Sequence, residues 1–220
     1  MMNTINTQGI NKLKLFVSFL LIILLGFETQ AQSTEDILRQ WPAEEMAFLK
    51  KINEESGVSR DKATELILIN MARTNGPLFA KLVIPFFVDS TKAEQTSYLK
   101  SLINELKKQP KLSPLYYDNE LSKVAEGHAI SMGNAGKTGH DGFDERYSKV
   151  LGRATEVAEN CFYGPKQPII VVLELLIDND VASLGHRKNL LNPAFTHIGF
   201  ATAPHKTYEY NTVQSFGIIP

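Results

Sequence analysis

Cysteine is nearly absent from this chain: Cys161 is the only one in 220 residues. A single thiol excludes an intramolecular disulfide framework and any multi-cysteine metal site. No sign of charge dominates either. The 23 basic and 24 acidic residues leave a formal net charge of -1, so a broad electrostatic attraction to nucleic acid is not indicated. The apolar run Leu15 to Phe27 is only 13 residues long, short of the roughly 20 that span a bilayer. The sequence has no Gly-x-Ser-x-Gly elbow, no His-Glu-x-x-His helix and no phosphate-binding glycine loop. Repeats and low-complexity tracts are absent as well. What is left is an ordinary globular composition, 43% hydrophobic and 21% charged, long enough for one domain plus extra segments.

Lys12 and Lys14 precede the short apolar run, and Thr29-Gln30-Ala31 follows it. This order predicts a secretory signal peptide over residues 1–31, cut after Ala31. The alternative is an uncleaved anchor. No cysteine directly follows the run, which excludes lipoprotein processing. The expected location is secreted or periplasmic, with no membrane span in the mature chain.

Helical signals fill the middle of the chain. Pro42 suits the first turn of a helix that Gly57 closes. Ser59 can cap a second helix ending at Gly76. Thr91 can cap a third, stopped by Pro110, and Asp118 a fourth, with Leu121, Val124, Ala125, His128 and Met132 on one face and Gly133 and Gly136 at its end. A fifth covers Gln167 to Asp178. Ala154 to Tyr163, His197 to Thr202 and Tyr208 to Phe216 read as strands, the last two joined at Pro204-His205-Lys206. Asp89 to Ser113 is charged and reads as an insertion. The class is α+β, or a three-layer α/β/α sandwich with additional N-terminal helices.

The chemistry-bearing contexts lie in the second half: Gly139-His140-Asp141, Ala158-Glu159-Asn160 and Gly185-His186-Arg187. His140 and His186 are placed at loop or turn positions, where functional side chains concentrate. Two imidazoles with a carboxylate and water suit Zn2+, but the spacing alone favours exposed loop histidines. Glu159, between small and apolar neighbours in a strand, needs a partner if buried: a histidine, a metal, a backbone amide or Arg153. Glu174 lies four residues before Asp178, so the two are expected to share a helix face and repel. Arg146 is expected to pair with an acid near the cleft, and Phe143 to pack. His128 reads as a satisfied core histidine. Cys161 reads as a buried thiol, with a nucleophile beside His140 or His186 as the alternative.

The order Asn70-Met71-Ala72-Arg73, Leu121 to Met132, Gly-His140, Ala-Glu159-Asn160, Gly-His186-Arg187, Phe195-x-x-Ile198-Gly199 and Val213-Gln214-Ser215-Phe216-Gly217 resembles the CAP superfamily. This is the group of sperm-coating, antigen 5 and pathogenesis-related 1 proteins, here in its bacterial secreted form. The resemblance covers about Lys62 to Pro220. It implies a three-layer sandwich with an open cleft, and a domain over 59–220 behind an N-terminal helical extension, 32–58. It also implies a tetrad of two histidines and two acids that binds a divalent metal in several members. Carried over by residue, the tetrad falls on His140, Glu159, His186 and Asp178. The Trp-Tyr-x-Glu run that supplies the second acid is here Leu175-Leu176-Ile177-Asp178, without its aromatic pair, which leaves Glu174 as the other candidate. Asn70 and Arg73 match residues that tie a helix to neighbouring backbone. The resemblance implies first a non-catalytic module that binds a protein, peptide, glycan or lipid outside the cytoplasm. A second reading is a metal-dependent, peptidase-like hydrolase: His140 and His186 hold Zn2+ and Glu159 is the general base. A third is lipid or sterol binding along Leu78 to Phe87.

Overall fold

The computed structural model describes residues 34–220; the expected signal peptide, 1–31, lies outside them. The chain divides into two compact units between Pro42 and Ala43, taken in turn. In the first, residues 34–40 are helical (α1). Arg39 reaches back one turn to Glu35 and Asp36, at 3.1 and 3.0 Å.

The second unit, Ala43–Pro220, opens with α2 (Ala43–Glu55), α3 (Arg60–Thr74), α4 (Gly76–Thr91) and α5 (Ser97–Lys108). Asn75 separates α3 from α4 and accepts from Leu78 N at 3.2 Å, an N-cap one residue past the preceding helix. The expected cap at Thr91 is corrected. Helix α4 runs through Pro85 to Thr91, whose hydroxyl donates back to Phe87 O at 2.7 Å. Thr96 is the cap of α5, accepting from Leu99 N at 3.2 Å. Asp89 to Ser113 is therefore not a loose insertion. Leu99, Leu102 and Leu106 recur on one face of α5 and are buried.

Helix α6 (Asn119–Ala135) starts and stops as its sequence dictates. Asp118 accepts from Leu121 N at 2.8 Å, and Gly136 ends the helix at φ 68°. Then come α7 (Phe143–Tyr147), α8 (Pro168–Ile177) and α9 (Gly185–Leu190). The strands are β1 (Tyr116–Tyr117), β2 (Val157–Gly164), β3 (His197–Pro204) and β4 (Tyr210–Gly217), in the order β1-β3-β4-β2. β1 runs parallel to β3, and the other pairs are antiparallel. Nothing in the residue pattern pointed to β1, α7 or α9. All three are too short to carry a period.

Strand alternation sorts the side chains into two faces. Ala201, Val213 and Cys161 are in register and pack on Ala125 and Ala129 of α6. Gly199, Ser215 and Glu159 are also in register, two positions along each strand, and so face the same side. The opposite face carries Gln214 and Asn160. Gln214 donates to Glu65 of α3 at 2.9 Å, and Asn160 donates to His186 O of α9 at 3.2 Å. The sheet thus lies between α6 and the layer containing α3 and α9, an α+β fold of three layers. Among the described residues no helix is long and apolar enough to cross a membrane.

Two buried side chains fasten the helical layer to the chain around the sheet. Asn70 exchanges two bonds with the Leu115 backbone, at 2.9 and 2.8 Å. Arg73, fully buried, donates to the carbonyls of Ser113, Leu190, Asn192 and Phe195. Both act as the sequence suggested. A buried guanidinium needs all of its N–H groups answered, and carbonyls do this without a second charge.

Candidate functional site

Edge strand β2 organises the site. Its residues Glu159 and Asn160 are consecutive, so the pleat sends them to opposite faces. Glu159 faces α6. Its side chain is only 1% exposed, and donors converge on both oxygens. His140 Nδ1 lies 2.9 Å from Oε1, and Arg146 Nη2 donates to the same atom at 2.9 Å. Arg146 Nη1 reaches Oε2 at 2.5 Å, with the Tyr147 hydroxyl at 3.2 Å. Burial alone would raise the pKa of this carboxyl. The bonds from His140 and Arg146 outweigh it and hold the pKa at about 2. Arg146 is thus the acid-pairing residue the sequence indicated. Arg153, the other candidate, binds Asp118 instead. Phe143 packs on Tyr147, with ring centroids 4.5 Å apart.

The second acid sits differently from its sequence reading. Asp178 is not in the last turn of α8. It caps that helix in the left-handed region, φ 56°. Asp178 thus lies past the last residue of α8. Glu174 is half-buried, and burial, with no contribution from the Asp178 charge, is what raises its pKa. The buried Asp178 carboxylate meets His186 Nδ1 at 2.7 Å through Oδ1. Through Oδ2 it accepts the backbone N–H groups of His186 (2.9 Å) and Arg187 (3.3 Å). His186 lies in the first turn of α9 rather than in a loop. Arg187 secures this corner by donating to the Leu176, Ile177 and Tyr98 carbonyls and to Glu105.

The four tetrad candidates form two separate hydrogen-bonded pairs, His140 with Glu159 and His186 with Asp178. In each pair Nδ1 faces the carboxylate. Among the described residues neither Nε2 has a hydrogen-bond partner. The side chains of His140 and His186 are 48% and 25% exposed. A proton held on Nδ1 by a carboxylate leaves the Nε2 lone pair free to accept a proton or bind a cation.

Two neighbours of Glu159 were not assigned to the site from sequence. His128 Nε2 is 3.7 Å from Glu159 Oε1 and 2.9 Å from Gly139 O. Cys161 Sγ lies 3.6 Å from His140 Nδ1 and 3.8 Å from Glu159 Oε1. One ligand atom each from His128, Glu159 and Cys161 falls within 4.8 Å of the others, close enough to hold a metal ion. Cys161 was detectable, because residues two apart on a strand share a face with Glu159. His128 was not, since nothing in a helical period says which strand a buried histidine meets. The thiol is buried, and burial followed by the Glu159 charge pushes its pKa up, as expected of an unreactive cysteine.

Residues 100–216, just over half of the chain, match the sequence model of CAP, the cysteine-rich secretory protein family. The chain belongs to the CAP family. A relative of this CAP protein, the uncharacterized protein YkwD of Bacillus subtilis (strain 168), is 32% identical over 119 residues, 50% of this chain and 44% of that one. The chain thus spans less than half the length of that relative. Similar solved structures include an outer surface protein of Borrelia burgdorferi, with TM-score 0.43 and 24% identity, covering 58% of this chain and 97% of the other. Another is an extracellular SCP-domain protein of Bacillus anthracis, with TM-score 0.39 and 23% identity, covering 59% and 43%. In this CAP chain Asp178, which follows Leu175-Leu176-Ile177, reaches His186 from the C-cap of α8.

Proposed function

We propose that this CAP protein is an exported binding module, released by cleavage after Ala31, whose 59–220 domain presents His140 and His186 to a ligand outside the cytoplasm. One observation carries the reading: both imidazoles are oriented by buried carboxylates and offer a free Nε2. The donor set fits a divalent metal, Zn2+ above all, because carboxylate-oriented neutral imidazole is its usual nitrogen ligand. His140 and His186 would be the ligands. Glu159 and Asp178, whose oxygens already accept N–H groups, would hold the rings. A bound metal supplies Lewis acidity to the ligand.

The hydrolase alternative is weakened in its first form. Glu159 is buried, paired to Arg146 and held at a pKa of about 2, far below the range of an effective general base. His140 Nε2, on a half-exposed ring, is the group better placed to meet a ligand proton here. The lipid-binding alternative loses its groove, because Phe79, Ala80, Val83, Ile84 and Phe87 of α4 are buried in the core.

Calorimetric titration of the full chain with Zn2+ tests the proposal. One site is expected, with affinity falling at least tenfold in both His140→Ala and His186→Ala. Binding that survives both changes but is lost in His128→Ala or Cys161→Ala would place the metal in the internal group and overturn the reading.

A further inference from the structure

Between the outer face of α6 and the segment from α7 to Arg153 lies a recess of about 380 Å³, within the size range of small-ligand sites. Its floor is apolar, from Val124 and Val150. Four cationic side chains line it, Lys123, Arg146, Lys149 and Arg153, against one carboxylate, Glu120. That imbalance is local, since the whole chain has net charge -1.

The four cations play unequal parts. Arg146 is fixed from behind by Glu159, and Arg153 by Asp118 at 2.9 to 3.0 Å through Nη1. Their charges are answered, but each guanidinium has five N–H groups. Of these, Arg153 keeps Nε and one on Nη2 unused. Arg146, which also donates to the Asp141 and His140 carbonyls, keeps one on Nη1. Lys123 pairs with Glu120 at 2.8 Å, with the two side chains 69% and 56% exposed. Such an exposed pair contributes little and is readily exchanged for another anion. Lys149 is exposed and has no partner among the described residues. It supplies the uncompensated charge.

We infer that this recess binds a small anionic ligand, an oxyanion group on a body the size of one sugar ring. The oxyanion is met by Lys149 and Lys123 together with N–H groups of Arg153 and Arg146. The body lies on Val124 and Val150. Charged N–H donors suit phosphate and carboxylate alike. Arg146 donates to the His140 carbonyl at 3.5 Å and to Glu159, the partner of the His140 ring, so the recess and the first imidazole share Arg146. Its charge and volume do not depend on the imidazoles binding anything.

The test is amide NMR titration of the full chain with glucose 6-phosphate, glucuronate and glucose. The two anions are expected to shift amides over residues 120–124 and 146–153, with affinity falling severalfold from 50 to 500 mM salt. Glucose should leave them unmoved. A Lys123→Gln, Lys149→Gln double variant touches only exposed side chains and should lose at least tenfold in anion affinity at unchanged melting temperature. His140→Ala should retain anion binding, which separates this site from the imidazole reading. Equal binding of glucose, shifts confined to other residues, or full affinity in the double variant would each overturn the inference.

Discussion

The carboxylate of Glu65 accepts one side-chain hydrogen bond, from Gln214 Nε2 at 2.9 Å, across 149 positions of chain. The bond continues inward. Gln214 Oε1 accepts from Asn160, which also donates to the His186 carbonyl and accepts from Asn189. A buried acid on α3 is thereby wired to the backbone of the second imidazole.

Burial pushes the Glu65 carboxyl up to about 7, against opposing contributions from the Gln214 bond and Lys62. The folded pKa lies above the unfolded one, so the folded chain binds the extra proton. The associated stability is fully present below pH 4.5 and is lost as pH rises through 7. A shift of this size corresponds to about 3 kcal/mol. Glu65→Gln, neutral and of equal shape, should therefore raise the melting temperature relative to the parent at pH 8. The difference should close near pH 4.5. Thermal unfolding at both pH values checks this, and an identical offset at the two would refute it.

Glu159 titrates with the opposite sign. Its folded pKa, about 2, lies below the unfolded value of 4.5, so its contribution is present above pH 4.5 and disappears as pH falls through 2. Glu159→Gln should flatten that acid limb. At pH 7 it should cost about 3 to 5 kcal/mol, because Arg146 would be left without its charge partner. Urea unfolding between pH 2 and 7 measures both effects. A neutral substitution that leaves the acid limb unchanged would show that another carboxylate carries it.

Two glycines, one beneath α6 on β3 and one on the exposed face of α6, should respond oppositely to alanine. A Cβ at Gly199 would run into the backbone of Ser122 and Leu121, where no side chain can move aside, so α6 would have to lift from β3. Gly199→Ala should destabilise by about 3 kcal/mol or more. Gly127, within α6, meets nothing within 4 Å, and Gly127→Ala should gain about 1 kcal/mol from helix propensity. Comparing the two urea midpoints tests whether α6 is seated as closely as described.

Much of the fold was legible because its signals are local. The Asp118 cap, the Gly136 stop and the Leu121 to Met132 face of α6 each need only neighbours within a few residues. Thr91 misled because a threonine ahead of a polar, helix-forming stretch has the residue type of an N-cap. Burial of Phe79, Val83 and Phe87 instead favours one helix running up to it. Asp178 misled for a related reason: periodicity assumes that the helix continues, and a single left-handed residue ends it.

By itself the sequence determined the apolar face and the Asp118 cap of α6, the pairing of Arg146 with an acid and the histidines worth following. All of these are properties of residue type and short spacing. Only the tertiary structure decided which acid each histidine meets, that His128 and Cys161 crowd Glu159, and that Glu65 is joined to the His186 backbone. Those contacts join residues up to 149 positions apart. Their free energies depend on burial and orientation, which no local pattern encodes.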